Sequence, residues 1–241
     1  NKYGYSEEKR AYIDTVRDEY SYAHYLEFYK KKGRTPISYE TYARQVRVSV
    51  QTNTLAYLAG IIPKEKEADA MRFLVDNLDK GSFVAGTPAR KTIGYPTEAE
   101  APGGYVHIGS PFFLFFAYDA ICKYGRHDLM LKSIRREWEN MAAHGTNTCW
   151  EGFGSGKNWT RSIAHGWSAS PAIYLQTEIL GIKPLEAGFT KFTVVPHSDS
   201  TLTHAEGAVA TPYGKISVKW EKHGDGYEIK VDAPAECEYV K

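Results

Sequence analysis

Residues 145–171 read GTNTCWEGFGSGKNWTRSIAHGWSASP and contain three tryptophans, one glutamate and one histidine. Connecting segments are usually polar, because a buried loop strands backbone groups that need hydrogen bonds. A connection this rich in indole rings is therefore either clamped into a core or lines a pocket. We call residues 145–171 the tryptophan-rich loop.

The composition of this loop indicates one wall of a carbohydrate site. Flat aromatic faces suit the apolar faces of a sugar ring, and a carboxylate beside them suits acid–base chemistry on a glycosidic bond. The candidates are Glu151 for the chemistry and His165, Trp150, Trp159 and Trp167 for binding. The alternative for each tryptophan is packing, and for His165 a core position with a hydrogen bond to a backbone carbonyl.

Helical periodicity predicts hairpins of antiparallel helices on the N-terminal side of this loop and one more helix after it. Short connections between successive helices are typical of such hairpins. The fourth helix is apolar almost all round, so we expect it to be deeply buried. The last helix is expected to be capped by Ser168 or Ser170. The predicted helices cover residues 6–32, 38–59, 63–78, 110–124, 127–143 and 168–180.

A long irregular segment, residues 81–104, separates the third and fourth helices. A connection of that length in a compact domain usually has a function or is mobile. His107 lies at its end, immediately before the buried helix, and is a further candidate for the pocket.

After Pro184 the period of the apolar residues changes from helical to two, which predicts a small antiparallel β unit. Ile216, Val218 and Trp220 alternate with polar residues, and the segment 223–226, His-Gly-Asp-Gly, is a strong hairpin signal. Trp220 is expected in the interior of this unit. Further strands are predicted at residues 190–195 and 202–210.

Charge and cysteine content exclude several classes of protein. The chain has 30 Lys and Arg residues and 29 Asp and Glu residues, so no excess of positive charge indicates binding to nucleic acid. The three cysteines form no CxxC pair, and no residue cluster in the sequence indicates a metal or another cofactor. The most apolar run, residues 108–120, is too short to span a bilayer. The sequence does not indicate the cellular compartment.

An ordered series of motifs resembles the α-L-rhamnosidase family of glycoside hydrolases. The resemblance extends over roughly residues 50–231 and is specific for the family rather than for a substrate. Asn147 and Cys149 are a mild departure from the family's pattern before the Trp-Glu pair. The motifs are Gly109-Ser110-Pro111-Phe112-Phe113, Tyr124-Gly125-Arg126, residues 145–151, 165–169, 180–185 and 189–196, and Thr211-Pro212-Tyr213-Gly214-Lys215.

The resemblance implies an (α/α)6 six-hairpin barrel followed by a C-terminal β-sandwich. Residues 1–183 would form the C-terminal half of the barrel, and residues 184–241 the sandwich. Six hairpins need about a dozen helices, and the chain provides about half of them. The acidic motif that the family keeps in the earlier half is not found. The chain is therefore expected to be a C-terminal part whose partner is the remaining N-terminal part of the enzyme, and to be inactive alone.

The resemblance also implies a mechanism in which terminal α-L-rhamnosyl units are removed with inversion. One carboxylic acid protonates the leaving oxygen while a second carboxylate activates water. Glu151 occupies the family's general-base position, His165 aligns with a histidine that contacts sugar hydroxyls, and Trp167 is the closest match among the stacking residues. The general acid would lie outside this chain. The alternatives are a non-catalytic carbohydrate-binding or structural piece, and another (α/α) barrel glycosidase.

Overall fold

The computed structural model describes residues 4–44, 46–81, 105–153 and 162–241. Helices dominate up to residue 180. Short 3-10 turns occur at Lys64–Lys66, Gly166–Ser168 and Ala187–Phe189, and a π-helix at Leu175–Ile179. The α-helices are α1 (Glu19–Lys31), α2 (Tyr39–Arg44), α3 (Val50–Leu58), α4 (Glu67–Lys80), α5 (Pro111–Lys123), α6 (His127–Ala143) and α7 (Ser170–Tyr174).

Ten strands form four small sheets in the described part of the chain. Two are strand pairs within the helical region, β1–β2 antiparallel and β3–β4 parallel. The other two follow residue 180, in the orders β10-β6-β5 and β7-β8-β9. The strands are β1 (Tyr5–Ser6), β2 (Ala11–Tyr12), β3 (Val48–Ser49), β4 (Tyr105–Val106), β5 (Ile182–Pro184), β6 (Lys191–Val194), β7 (His204–Thr211), β8 (Gly214–His223), β9 (Gly226–Asp232) and β10 (Glu238–Tyr239).

The first predicted helix, residues 6–32, is too long at its N-terminal end. The structure has the β1–β2 pair there, and α1 begins only after Asp18. Asp18 forms a capping box with Ser21, which fixes that start. Tyr12 is buried in β2, where its backbone N–H donates to Asn53 Oδ1 over 2.9 Å. A tertiary contact therefore overrides the helical pattern.

The second predicted helix, residues 38–59, is in fact two helices separated by β3. Ser49 has an extended backbone, and its side chain accepts a hydrogen bond from Thr52 N, so it starts a new helix. Asp14, which lies outside this segment, accepts hydrogen bonds from the Ser49 and Thr52 hydroxyls and thereby stabilises the break between the two helices. The sequence signal was the alternation of Val46, Val48 and Val50, which favours strand.

The predictions for α4, α5 and α6 are confirmed within a few residues. The expectation that α5 is deeply buried holds for only part of its surface: Leu114, Tyr118 and other residues are fully buried. Phe112 and Phe115, however, are 46% and 42% exposed. The expected caps of the last helix are wrong. Ser168 instead donates to the backbone oxygen of Trp150, and the Ser170 hydroxyl is buried without a hydrogen bond among the described residues.

The β-hairpin at residues 223–226 is confirmed, since β8 and β9 pair from His223 opposite Gly226. Trp220 of β8 is fully buried, as predicted, and its indole N–H donates to the backbone oxygen of Ile179 over 2.8 Å. One hydrophobic core includes buried residues from α3 to α6 together with β5, β6 and β8. The helical part and the β part are thus packed into a single core.

The fold class is therefore helices together with antiparallel sheets, with one parallel pair in the helical region and one, β10–β6, after it. Among the described residues, no helix combines the length and the apolar character that crossing a membrane would need.

Candidate active site

The tryptophan-rich loop is described on both sides, at residues 145–153 and 162–171. Trp159, one of the predicted binding residues, lies outside the described residues. The two described sides are tied together by backbone hydrogen bonds. Glu151 N donates to Ser162 O over 2.9 Å, and His165 N donates to Cys149 O over 2.8 Å. The loop is therefore closed at its base.

The Glu151 carboxylate is half-buried and held by the same closure. Its Oε2 accepts a hydrogen bond from Ser162 N at 3.1 Å. Within the described residues no cation pairs with this carboxylate, and its Oε1 receives no hydrogen bond. A carboxylate fixed through one oxygen, whose other oxygen receives no hydrogen bond from the described residues, has the form that a general base needs.

Trp167 is hydrogen bonded to the backbone of the same residue, Glu151. Its indole N–H donates to the backbone oxygen of Glu151 over 3.1 Å, and its side chain is 42% exposed. On its other side the ring lies against Phe112, with 5.5 Å between ring centroids. An indole held by its N–H and open on part of its surface is suited to contact with a sugar ring.

His165 lies next to Trp167, with 4.0 Å between the ring centroids. Its Nδ1 accepts a hydrogen bond from Trp167 N at 3.4 Å. When the imidazole is neutral, Nε2 therefore carries the hydrogen and can donate to a hydroxyl group. The structure thus brings Glu151, His165 and Trp167 together.

Trp150 does not fit the stacking role that was predicted for it. Its side chain is fully buried, and its indole N–H donates to Thr146 Oγ1 over 2.7 Å. His144 covers the ring edge-on at 5.2 Å. A ring enclosed in this way presents no face to a ligand, so the packing alternative describes Trp150 better.

His107 is hydrogen bonded to other elements than the loop. Its Nδ1 is 3.0 Å from Asn77 Nδ2 of α4, and its backbone oxygen accepts from Gln51 of α3. Together with Val48, Phe73 and other residues it lines a small cavity between β3 and α4. Burial lowers the pKa of the His107 imidazole, so the ring is neutral at pH 7. No described contact joins it to Glu151, His165 or Trp167.

Sequence reasoning missed the residues that hold the site in place. The backbone N–H of Ser162 anchors the Glu151 carboxylate, and the Ser168 hydroxyl joins the two sides of the loop by donating to the backbone oxygen of Trp150. Trp138 of α6 donates its indole N–H to the backbone oxygen of Ser168 over 3.1 Å. Each of these hydrogen bonds has a backbone group as one partner, and backbone groups carry no sequence signature, so only the fold reveals them.

Comparison with known proteins supports the resemblance. Residues 181–240 match the family model of the bacterial alpha-L-rhamnosidase C-terminal domain. The α-L-rhamnosidase of Alteromonas sp. (strain LOR) is 31% identical over an alignment of 141 positions, covering 53% of this chain and 15% of that protein. The α-L-rhamnosidase of Formosa agariphila is 29% identical over 121 positions, covering 46% and 13%.

A solved structure extends the similarity to almost the whole chain. The crystal structure of the GH78 family rhamnosidase of Bacillus sp. GL1 matches 99% of this chain with a TM-score of 0.68 and 31% identity. It is matched over only 21% of its own length. The chain thus spans roughly a fifth or less of the relatives it matches. The resemblance to the α-L-rhamnosidase family is confirmed: the chain is similar to a part of those glycoside hydrolases that includes their C-terminal domain.

Proposed function

We propose that this chain supplies the general-base side of an active site that removes terminal α-L-rhamnosyl units with inversion. The observation that carries the proposal is the anchoring of Glu151: its Oε2 accepts a hydrogen bond from Ser162 N, and its backbone oxygen accepts the indole N–H of exposed Trp167. Glu151 would take a proton from the attacking water. His165 and Trp167 would hold the sugar, through a hydrogen bond from Nε2 and through the indole face. Trp159 and His107 remain candidates for binding.

We propose that the helices before residue 184 form half of an (α/α)6 barrel, and that residues 184–241 form the β-sandwich that follows it. Antiparallel pairs such as α5 and α6 supply the hairpins such a barrel is built from. The partner of this half would be the remaining part of the enzyme. Phe112, Phe115 and Ile173, which are 46%, 42% and 45% exposed, give α5 and α7 an apolar surface for that contact.

The direct test is hydrolysis of an aryl α-L-rhamnoside by the longest polypeptide that carries these residues, compared with its Glu151→Gln variant. Removing a general base typically lowers the rate roughly 10²- to 10⁴-fold. We expect kcat to fall by that factor while KM changes little, because glutamine keeps the size and the hydrogen bond from Ser162. Nuclear magnetic resonance of the first product should show the inverted anomer.

Glu236→Gln is the matched control, because Glu236 is exposed on the C-terminal part and far along the chain from the loop. It should leave both kcat and KM unchanged. Turnover near the normal rate in Glu151→Gln would remove this residue from the mechanism. A parent protein that cleaves no α-L-rhamnoside would contradict the proposed substrate.

The 241 residues alone should show no hydrolysis. Inversion requires two carboxyl groups separated by roughly 6.5–9.5 Å, and we place the general acid outside this chain. The measurement is the same aryl rhamnoside assay on the isolated chain after circular dichroism has shown it folded. Measurable turnover in that sample would overturn the assignment of the general acid to another part of the enzyme.

A further inference from the structure

A second group of reactive side chains lies away from the tryptophan-rich loop, where α5 ends, α6 begins and the π-helix passes. Cys122 Sγ, a ring nitrogen of His127 and a carboxylate oxygen of Glu178 all lie within 4.8 Å of one another. The three residues come from three separate helices. Thiolate, imidazole and carboxylate are the three ligand types that Zn²⁺ takes in proteins.

The distance between His127 and Glu178 is close to that between two ligands of one zinc ion. His127 Nε2 is 3.0 Å from Glu178 Oε2. Bonds of about 2.0 Å from Zn²⁺ to nitrogen and oxygen give ligand atoms roughly 3.3 Å apart in a tetrahedral centre. An ion that replaces the shared proton of this pair therefore requires only a small movement of the two side chains.

Two further side chains contact the proposed ligands. In metal sites, residues that contact the ligands hold them in orientation. The His197 ring stacks on His127, with 3.7 Å between centroids and 4° between planes, and its Nδ1 hydrogen bonds to the Glu178 backbone oxygen. Lys183 Nζ donates to Glu178 Oε2 over 2.9 Å. Lys183 orients the carboxylate so that the same oxygen, Oε2, faces His127 Nε2, where the ion would lie.

The backbone that carries Glu178 is also unusual. Glu178 lies on the π-helix Leu175–Ile179. Isolated π-turns are rare and occur frequently at functional sites. The Cys122 thiol is half-buried. Among the described residues its hydrogen-bond partner is the sulfur of Met130 at 3.4 Å, and a bound ion would replace that weak hydrogen bond.

We propose that Cys122, His127 and Glu178 bind one Zn²⁺ ion, with His197 and Lys183 as its outer support. The sequence predicts no metal here, because Cys122 and His127 lack any second spaced pair and Glu178 lies 51 residues beyond His127. The ion would fasten the α5–α6 hairpin to the segment that leads into the C-terminal sheet.

The test is titration of the metal-free chain with Zn²⁺ and with Co²⁺. We expect one ion per chain by equilibrium dialysis, a rise in Tm with Zn²⁺ concentration, and a thiolate-to-cobalt charge-transfer band in the near ultraviolet. Loss of an outer residue already costs a metal site about 10- to 100-fold in affinity. The variants Cys122→Ser and His127→Gln should lose at least as much, and Cys122→Ser should also lose the charge-transfer band.

Matched controls separate this site from adventitious binding. Cys149→Ser removes a half-buried thiol elsewhere, and His223→Ala removes an exposed histidine that lies 3.8 Å from Glu228. Both should keep the affinity and the band. A chain that binds no Zn²⁺, or ligand variants that fold and bind as tightly as the parent, would overturn the proposal. Rhamnoside hydrolysis is not part of this readout, so the two proposals fail independently.

Discussion

Asn53 shows how much of the N-terminal region depends on a single side chain. Its amide is buried, accepts from Tyr12 N at 2.9 Å, and donates to the backbone oxygens of Tyr12 and Ser49 at 3.0 Å each. Asn53→Ala would strand the two buried backbone groups of Tyr12, whereas the Ser49 oxygen keeps the first hydrogen bond of α3 from the backbone N–H of residue 53. At about 1–3 kcal/mol for each stranded group and with partial relaxation, we expect the free energy of unfolding to fall by about 2–4 kcal/mol. Denaturant unfolding measures it.

The neighbouring residue gives the matched control. Thr54 is equally buried, but its hydroxyl has no hydrogen bond among the described residues. Thr54→Val replaces an unsatisfied hydroxyl with a methyl group of the same size, so stability should stay the same or rise by about 1 kcal/mol. A Thr54→Val variant that loses as much as Asn53→Ala would show that packing, rather than hydrogen bonding, sets the cost here.

At the level of elements, Gly181 ends the π-helix region and starts β5. Its φ is +81°, and a Cβ built there would lie 2.3 Å from the backbone carbon of Val195 and 2.4 Å from Pro196 N. Backbone atoms cannot give way as a side chain can. Gly181→Ala should therefore destabilise the chain by at least about 4 kcal/mol, the range of exceptional single substitutions, measured by thermal unfolding or by loss of soluble protein.

Gly224 provides the comparison for this substitution. It also has a positive φ, +62°, but a Cβ added there would meet no atom within 4 Å. Gly224→Ala should cost only the left-handed backbone strain, roughly 1–2 kcal/mol. Equal losses at Gly181 and Gly224 would contradict the steric explanation.

The elements also show where sequence reasoning succeeds. The helices α4, α5 and α6 and the β8–β9 hairpin follow local signals: an acidic first turn, Pro111 at a helix start, and the Gly-Asp turn. The break at Ser49 has a local signal in the alternating valines before it, but it also depends on Asp14 from another segment. The same distinction between local signals and tertiary packing applies to the candidate site. Glu151 and Trp167 stand out by residue type, whereas the burial of Trp150 results from the packing around it.

At the scale of the whole molecule, the helices and the C-terminal sheets share one core, and Trp220 joins them through its bond to Ile179. The chain should therefore unfold in a single cooperative transition. Trp220→Ala should cost about 3–5 kcal/mol, and amide exchange should report the same loss in α5 as in β8. Tyr213→Ala, at a 47% exposed turn residue, should change little. Two separate transitions, with the sheets melting first, would contradict a shared core.

The closure at the base of the tryptophan-rich loop has a consequence for how such an enzyme can change over evolution. Because the backbone hydrogen bond from Glu151 to Ser162 ties off the intervening segment, insertions, deletions and substitutions between these two residues leave the anchor of the carboxylate untouched. We therefore expect mutations in that segment to leave the proposed general base in its position. Under the proposed function, chemistry and specificity would be inherited as separable traits within one loop.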